Sequence, residues 1–202
     1  MNLLERYSRN LGAFSANELK VIEKKTVCIV GCGGLGGFVI TSLARFGIEK
    51  LTLIDGDDFC TSNLNRQLFA TEQNIGKNKV LATAEALKHI NSKVVVNAHP
   101  THLDDRNALA LIQESDLVVD CLDNIASRRI LVKACGTVGI PLVHGAVAGL
   151  YGQVGCIFPG DNLMDVLYPV EHEEDQISPT GSPIFAPQLV ADRKSTRLNS
   201  SH

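Results

Sequence analysis

The sequence predicts a doubly wound α/β fold whose sheet is mostly parallel, with the last strands antiparallel. Two observations carry this. Short apolar, β-branched runs alternate with stretches of helical apolar spacing, the pattern of repeated βαβ units. A glycine loop, Gly31-Cys32-Gly33-Gly34-Leu35-Gly36, sits where the first such run meets the first such helix.

In chain order, a helical segment extends to about Glu23, and Thr26-Val27-Cys28-Ile29-Val30 reads as a buried strand. Leu35, Val39, Leu43 and Phe46 recur at helical spacing and predict a helix over 35–46. A strand over 50–54 ends at Asp55, followed by a polar loop with helical turns and a helix over 77–90. Then come a strand at 93–98, a helix near 105–113, a strand at 117–120 and a helix at 125–138. Strands at 141–144 and 151–158 close the series. Gly149 and Gly152 lie between them, predicting a change of direction and an antiparallel pairing.

Glycines at a strand-to-helix turn permit a tight bend. They also let backbone N–H groups approach an anion at the positive end of the helix, where four donors lack internal partners. Asp55, ending the next strand, is placed to meet ribose hydroxyls, which makes the unit Rossmann-like. The pattern Gly31-x-Gly33-x-x-Gly36 alone is equally at home in a turn that is glycine-rich for packing. Its placement points to an adenine nucleotide, with NAD and ATP both open.

The next residues separate the two. Asp55-Gly56-Asp57 leads into Thr61-Ser62-Asn63-Leu64-Asn65-Arg66-Gln67 and then Gly76-Lys77-Asn78-Lys79. A dinucleotide pyrophosphate is largely satisfied by a helix terminus, whereas the triphosphate of ATP calls for added cations and a metal. Arg66 supplies a planar fork for phosphate oxygens and Lys79 a compact charge. Asp123 follows the strand ending Val118-Val119-Asp120 and so stands at the carboxyl edge of the sheet, where a carboxylate can hold Mg²⁺.

With these residues assembled, the chain resembles the ThiF/MoeB/HesA adenylating proteins, bacterial relatives of the ubiquitin-activating E1 enzymes. The likeness covers residues 6–191. It rests on six ordered motifs: Arg6-Tyr7-Ser8-Arg9, the glycine loop, Leu53-Ile54-Asp55-Gly56-Asp57, Ser62-Asn63-Leu64-Asn65-Arg66-Gln67, Gly76-Lys77-Asn78-Lys79 and Asp120-Cys121-Leu122-Asp123-Asn124. The resemblance implies an E1-like adenylation domain that uses ATP and Mg²⁺. Such a domain attaches AMP to the C-terminal Gly-Gly carboxylate of a ubiquitin-like sulfur-carrier protein of the molybdopterin or thiamine type, releasing pyrophosphate. It also implies roles. Gly31, Gly33, Gly34 and Gly36 form the nucleotide loop, with Gly34 against the phosphates; Asp55 takes the ribose, beside Asp57. Asn63, Arg66 and Lys79 face the phosphates, and Asp123 holds Mg²⁺. Arg9 matches an arginine that reaches into the partner subunit's site, which implies a homodimer.

A carboxylate is already a nucleophile, so positioning and charge neutralisation can supply most of the catalysis. No Ser-His-Asp arrangement is expected, and His89, His99, His102, His144 and His172 are read as structural or solvated. His144 stands out because its strand is expected to end near the site. None of the six cysteines has Cys-x-x-Cys spacing, so no structural zinc is expected. Segment 159–187 has no cysteine for a covalent sulfur step, and the thiol of Cys156 is read as buried. That segment's acidic run, residues 171–175, reads as a solvated loop; a carrier-contacting loop is the functional alternative.

Residues 192–202 match the in-frame translation of a common sequencing adapter and are read as a non-native tail that interrupts a helix beginning at residues 187–191. A genuine basic tail is the alternative. On the first reading, residues 1–191 form a single domain whose final elements are missing. Without the tail's three basic residues and one acid, the formal charge moves from −3 to about −5. That balance, with no tryptophan and no basic stripe, argues against nucleic acid. No long apolar span or leader-like start is seen, and scattered cysteines fit a reducing cytoplasm.

Three other readings share parts of the pattern. An ATP-dependent tRNA threonylcarbamoyladenosine dehydratase shares most of the motifs. A nicotinamide oxidoreductase needs only the loop and Asp55, and a non-catalytic E1-like binding protein would not need every phosphate-handling position filled.

Overall fold

The computed structural model describes residues 3–169 and 181–197. The helices are α1 (Leu3–Arg6), α2 (Ala16–Glu23), α3 (Gly34–Phe46), α4 (Lys79–Ile90), α5 (Ala108–Ile112), α6 (Ile125–Val138), α7 (Leu163–Leu167) and α8 (Phe185–Arg197). The strands are β1 (Thr26–Val30), β2 (Lys50–Ile54), β3 (Val95–His99), β4 (Leu117–Asp120), β5 (Leu142–Ala148) and β6 (Tyr151–Ile157).

They form one sheet in the order β3-β2-β1-β4-β5-β6, parallel except for the antiparallel β5–β6 pair. The chain therefore winds outward from β1 through β2 to β3, then crosses back to place β4 on the other side of β1. Between β1 and β4 the winding direction reverses, and the crevice at their carboxyl ends is where such sheets receive ligands.

Side chains alternate across the strands and feed two cores. Val27 and Ile29 face one core with Leu35, Val39, Ile40 and Leu43 of α3, whereas Cys28 and Val30 face the other with Ile112 of α5 and Leu131 of α6. Each fully buried Leu, Ile or Val contributes about 1.5–3 kcal/mol, so α3 is held mainly by this stripe. Local caps fix where helices begin. The Asn78 side chain accepts from the Val80 and Leu81 N–H groups at α4, and the Asn124 side chain accepts from the Ser127 N–H at α6.

Several boundaries differ from the sequence reading. The cap at Asn78 starts α4 at Lys79, and the turn in which the Lys93 N–H donates to Asn91 delays β3 to Val95. β5 extends to Ala148 because β6 supplies a partner for each of its residues. The helix read at residues 187–191 does not stop there: α8 runs from Phe185 to Arg197, burying Ala186, Val190 and Ala191. Cys156 is half-buried, and all six cysteines are free thiols. The acidic run 171–175, with His172, lies outside the described residues. Among those described, no helix is long and apolar enough to cross a membrane.

Candidate active site

A cleft of about 400 Å³ opens at the carboxyl ends of β1, β2 and β4. Its wall includes Gly31, Gly33, Gly34, Asp55, Asp57, Arg66, Lys79 and Asp123, so eight of the sequence-predicted positions meet in one space.

The glycine loop divides by role. Gly31 has φ +97° and lies so close to β4 that an added Cβ would come 2.5 Å from the Cys121 carbonyl oxygen. Gly36 is tighter, since a Cβ there would fall 1.9 Å from the Gly31 carbonyl oxygen. Gly36 is absent from the cleft wall and works as a packing glycine, whereas Gly33 and Gly34 line the opening. Gly34 begins α3, so the positive end of a 13-residue helix points into the cleft.

Asp55 holds this loop. Its Oδ2 accepts from the Cys32 N–H at 2.7 Å and its Oδ1 from the Asp57 N–H at 2.9 Å. Burial raises its pKa above the ordinary carboxylate range, against the opposing Lys79 charge and the two N–H donors. The Lys79 Nζ donates to Asp57 Oδ2 at 2.7 Å; the lysine side chain is 8% exposed and that of Asp57 54%.

Arg66 Nη1 donates to the Ser62 carbonyl and to Asn65 Oδ1, each at 2.9 Å. The stem of Arg66 crosses over Gly34. Asn63 is buried and is not among the residues that line the cleft. Its Oδ1 accepts from the Cys60 N–H, and its carbonyl accepts from the N–H groups of Arg66 at 3.1 Å and Gln67 at 2.9 Å. Asn63 thus shapes the turn that presents Arg66. Asp123 is exposed beside Asn124, whose Nδ2 donates to it at 3.4 Å.

Arg9 is far from this cleft in its own chain. The segment around it packs on the opposite end of α3: Tyr7 lies against Gly47, and Asn10 Nδ2 donates to the Phe46 carbonyl at 3.0 Å. Thirteen helical residues separate that end from the glycine loop, about 20 Å.

The cleft also contains residues the motifs did not single out. Gln67 is buried and its Oε1 has no hydrogen-bond partner, a polar atom left at the wall of the cleft. His102 lines the cleft with Nε2 3.8 Å from Asp57 Oδ1, and Arg128 reaches it from α6. His144 lies beneath, fully buried on Asp120 at 2.7 Å. Gln67 follows Arg66 in its motif, which was the available signal; His102, Arg128 and His144 had none beyond their place after or within predicted elements. Among the described residues, no three His, Cys, Asp or Glu side chains gather to hold a metal.

The ThiF family profile matches residues 7–184 of the chain. The chain belongs to the ThiF family. It is 38% identical over 151 residues to the molybdopterin-synthase adenylyltransferase of Escherichia coli K12, covering 74% of this chain and 61% of that protein. It is similar to the E. coli tRNA N6-threonylcarbamoyladenosine dehydratase TcdA, solved in complex with ATP, at 30% identity and a TM-score of 0.70, covering 73% of this chain and 62% of that one. The E. coli MccB structure with AMPCPP and MccA shares the fold at a TM-score of 0.82 and 24% identity, over 98% of this chain and 63% of that one. The chain spans between about a third and two thirds of the length of the curated relatives it matches.

Proposed function

We propose that the protein is an ATP-dependent adenylyltransferase acting on the C-terminal Gly-Gly carboxylate of a ubiquitin-like sulfur-carrier protein of the molybdopterin or thiamine type. The observation that carries this reading is the meeting of an anion-receiving helix terminus with Asp55, Arg66, Lys79 and Asp123 in one cleft. The adenylyltransferase name of the E. coli relative supports it, as does the ATP-bound neighbour.

In the proposed reaction, a carboxylate oxygen of the carrier attacks the α-phosphorus of ATP. The bond to the bridging oxygen of the β-phosphate breaks, and pyrophosphate leaves with the electron pair; no proton need move. The N–H groups at Gly33 and Gly34 receive phosphate oxygens, and Asp55 accepts from the ribose hydroxyls. Arg66 and Lys79 hold the outer phosphates, Lys79 exchanging Asp57 for them. Asp123 would hold Mg²⁺, which when bound neutralises charge on the leaving pyrophosphate. Its exposed carboxylate on the cleft wall fits an ion that takes one or two carboxylates and fills its sphere with phosphate and water.

In this reading Arg9 enters the cleft of the other subunit of a homodimer, consistent with its distance from its own. Six free thiols fit a reducing cytoplasm.

The test is to incubate the protein with ATP, Mg²⁺ and candidate carriers ending in Gly-Gly, and to look for AMP on the carrier terminus and carrier-dependent exchange of pyrophosphate into ATP. A chain that binds nicotinamide dinucleotide and ignores ATP would overturn the reading. A second reading, an ATP-dependent dehydratase acting on tRNA, is favoured by the TcdA similarity and opposed by the acidic balance. It predicts retention of tRNA on the protein with no AMP on any carrier.

A further inference from the structure

Behind the turn that carries Asp123 lies a polar network that none of the assigned roles uses. Asp120, the last residue of β4, is 1% exposed, Arg128 6% and His144 0%. Asp120 Oδ2 meets His144 Nδ1 at 2.7 Å, and Arg128 Nε stands 3.7 Å from the same oxygen. Tyr168, just past α7, completes the group: its hydroxyl accepts from Arg128 Nη1 at 2.6 Å and from Gln153 Nε2 at 2.6 Å, and lies 3.2 Å from His144 Nε2. One assignment fits the contacts of His144 and Tyr168, while Arg128 Nε keeps only its charge contact with Asp120. His144 donates from Nδ1 to Asp120, and Tyr168 donates its single proton to His144 Nε2. Burial raises the Tyr168 pKa against the pull of Arg128, so the phenol keeps that proton.

Two members of this network grip one residue of the Asp123 turn from opposite sides. Asp120 Oδ1 accepts from the Leu122 N–H at 2.9 Å, while Arg128 Nη2 donates to the Leu122 carbonyl. Arg129, the next residue on α6, donates to the Tyr168 carbonyl and to Asp165. The peptide groups leading into Asp123 are thus fixed by side chains whose own geometry is set by a tyrosine some 45 positions later in the chain. A turn held this way spends little of its time in alternative conformations, which is what a single exposed carboxylate needs to meet its partner in one orientation.

We infer that Tyr168, Arg128 and His144 form a positioning unit that fixes the Asp123 turn. Its consequence for nucleotide handling rests on the adenylyltransferase reading; its consequence for the turn does not. Tyr168→Phe keeps the ring and removes the hydroxyl at the centre of the network, and Arg128→Lys keeps the charge opposite Asp120 while losing the fork that reaches both Leu122 and Tyr168.

The first measurement is amide hydrogen exchange on the ligand-free protein. Tyr168→Phe is expected to speed exchange at Leu122 about 10-fold, with Val118 and Val119 unchanged. The second is ATP affinity with and without Mg²⁺: Tyr168→Phe, which lies off the cleft wall, is expected to weaken Mg²⁺-dependent binding about 5- to 10-fold and to change Mg²⁺-free binding less than about 2-fold. Wild-type exchange at Leu122 in both variants overturns the inference. So does acceleration spread evenly through β4, which would mean general loosening. If wild-type protein binds no ATP while the exchange difference is seen, the functional reading fails and the positioning unit stands.

Discussion

The ammonium of Lys79 and the carboxylate of Asp57 stand 2.7 Å apart at the rim of the cleft, the lysine buried and the aspartate half in water. Breaking the pair from each side therefore has different effects. Lys79→Met removes a phosphate partner and leaves a solvated carboxylate, so ATP affinity should fall about 10- to 100-fold with the fold intact. Asp57→Asn removes the carboxylate hydrogen-bonded to the buried ammonium, leaving it only the longer-range charge of Asp55, and should cost about 1 kcal/mol of stability, the figure being reduced for the exposed side of the pair. Calorimetric titration with ATP and thermal melting separate the two outcomes.

Gly36 and Gly34 should respond differently to an added methyl group. Gly36→Ala would drive a Cβ to within 1.9 Å of the Gly31 carbonyl and should yield insoluble or unfolded protein. Gly34→Ala places its Cβ 3.5 Å from Arg66 and 3.7 Å from Pro187, ordinary contact distances, and should fold normally while binding ATP more weakly. A soluble Gly36→Ala protein with wild-type melting would contradict the packing role.

Arg9 belongs to a segment packed on the far end of α3, a helix about 20 Å long whose other end faces the cleft. In the homodimer proposed above, Arg9→Ala and Asp123→Ala proteins are each inactive, yet a mixture contains dimers with one site carrying both residues. Carrier adenylation should recover to about a quarter of wild type when the subunits exchange freely and one competent site works at full rate. Absence of recovery in a verified mixed dimer would remove the trans role.

Acidification should weaken ligand binding through Asp55 even as this group adds to the stability of the fold. Its raised native pKa means the folded chain takes up this proton at higher pH than the unfolded chain, whose aspartates titrate near 3.9. Between those two values the native state carries more protons, so this group makes the fold gain stability as pH falls and lose it as pH rises. Protonation, however, turns one oxygen from acceptor to donor in front of the Cys32 or Asp57 N–H and loosens the loop. ATP affinity should therefore decline as pH drops through a point above 3.9, and that step should vanish in Asp55→Ala. A flat binding profile across the same range in wild-type protein would contradict this role for Asp55.

Much of the fold was legible because local chemistry and tertiary context agree. The β-branched runs at 26–30 and 50–54 are strands with those limits, and Asn124 and Gly139 bracket α6 as a cap and a left-handed terminus should. Boundaries set by a neighbour were not legible: β5 ends where β6 stops pairing with it, and α8 persists past Ala191. That Asp55, Arg66, Lys79 and Asp123 line one cleft was legible from residue type and order; their roles there are those proposed above. Direction did not follow from order. Asn63 shares a motif with Arg66 yet turns inward to cap its own loop, and Gly36 spends its missing side chain on a backbone crossing. His144 was noticed for its position, but its pairing with Asp120 depends on β4 and β5 lying side by side.

The cleft takes its walls from stretches of chain that begin at Val30 and end at Pro187. No short peptide cut from the sequence can carry the recognition surface, because its parts are neighbours only after the strands have zipped together. A nucleotide bound there acts as a clasp on distant portions of the polypeptide, so saturating ATP should raise the unfolding temperature of the assembled molecule as a whole.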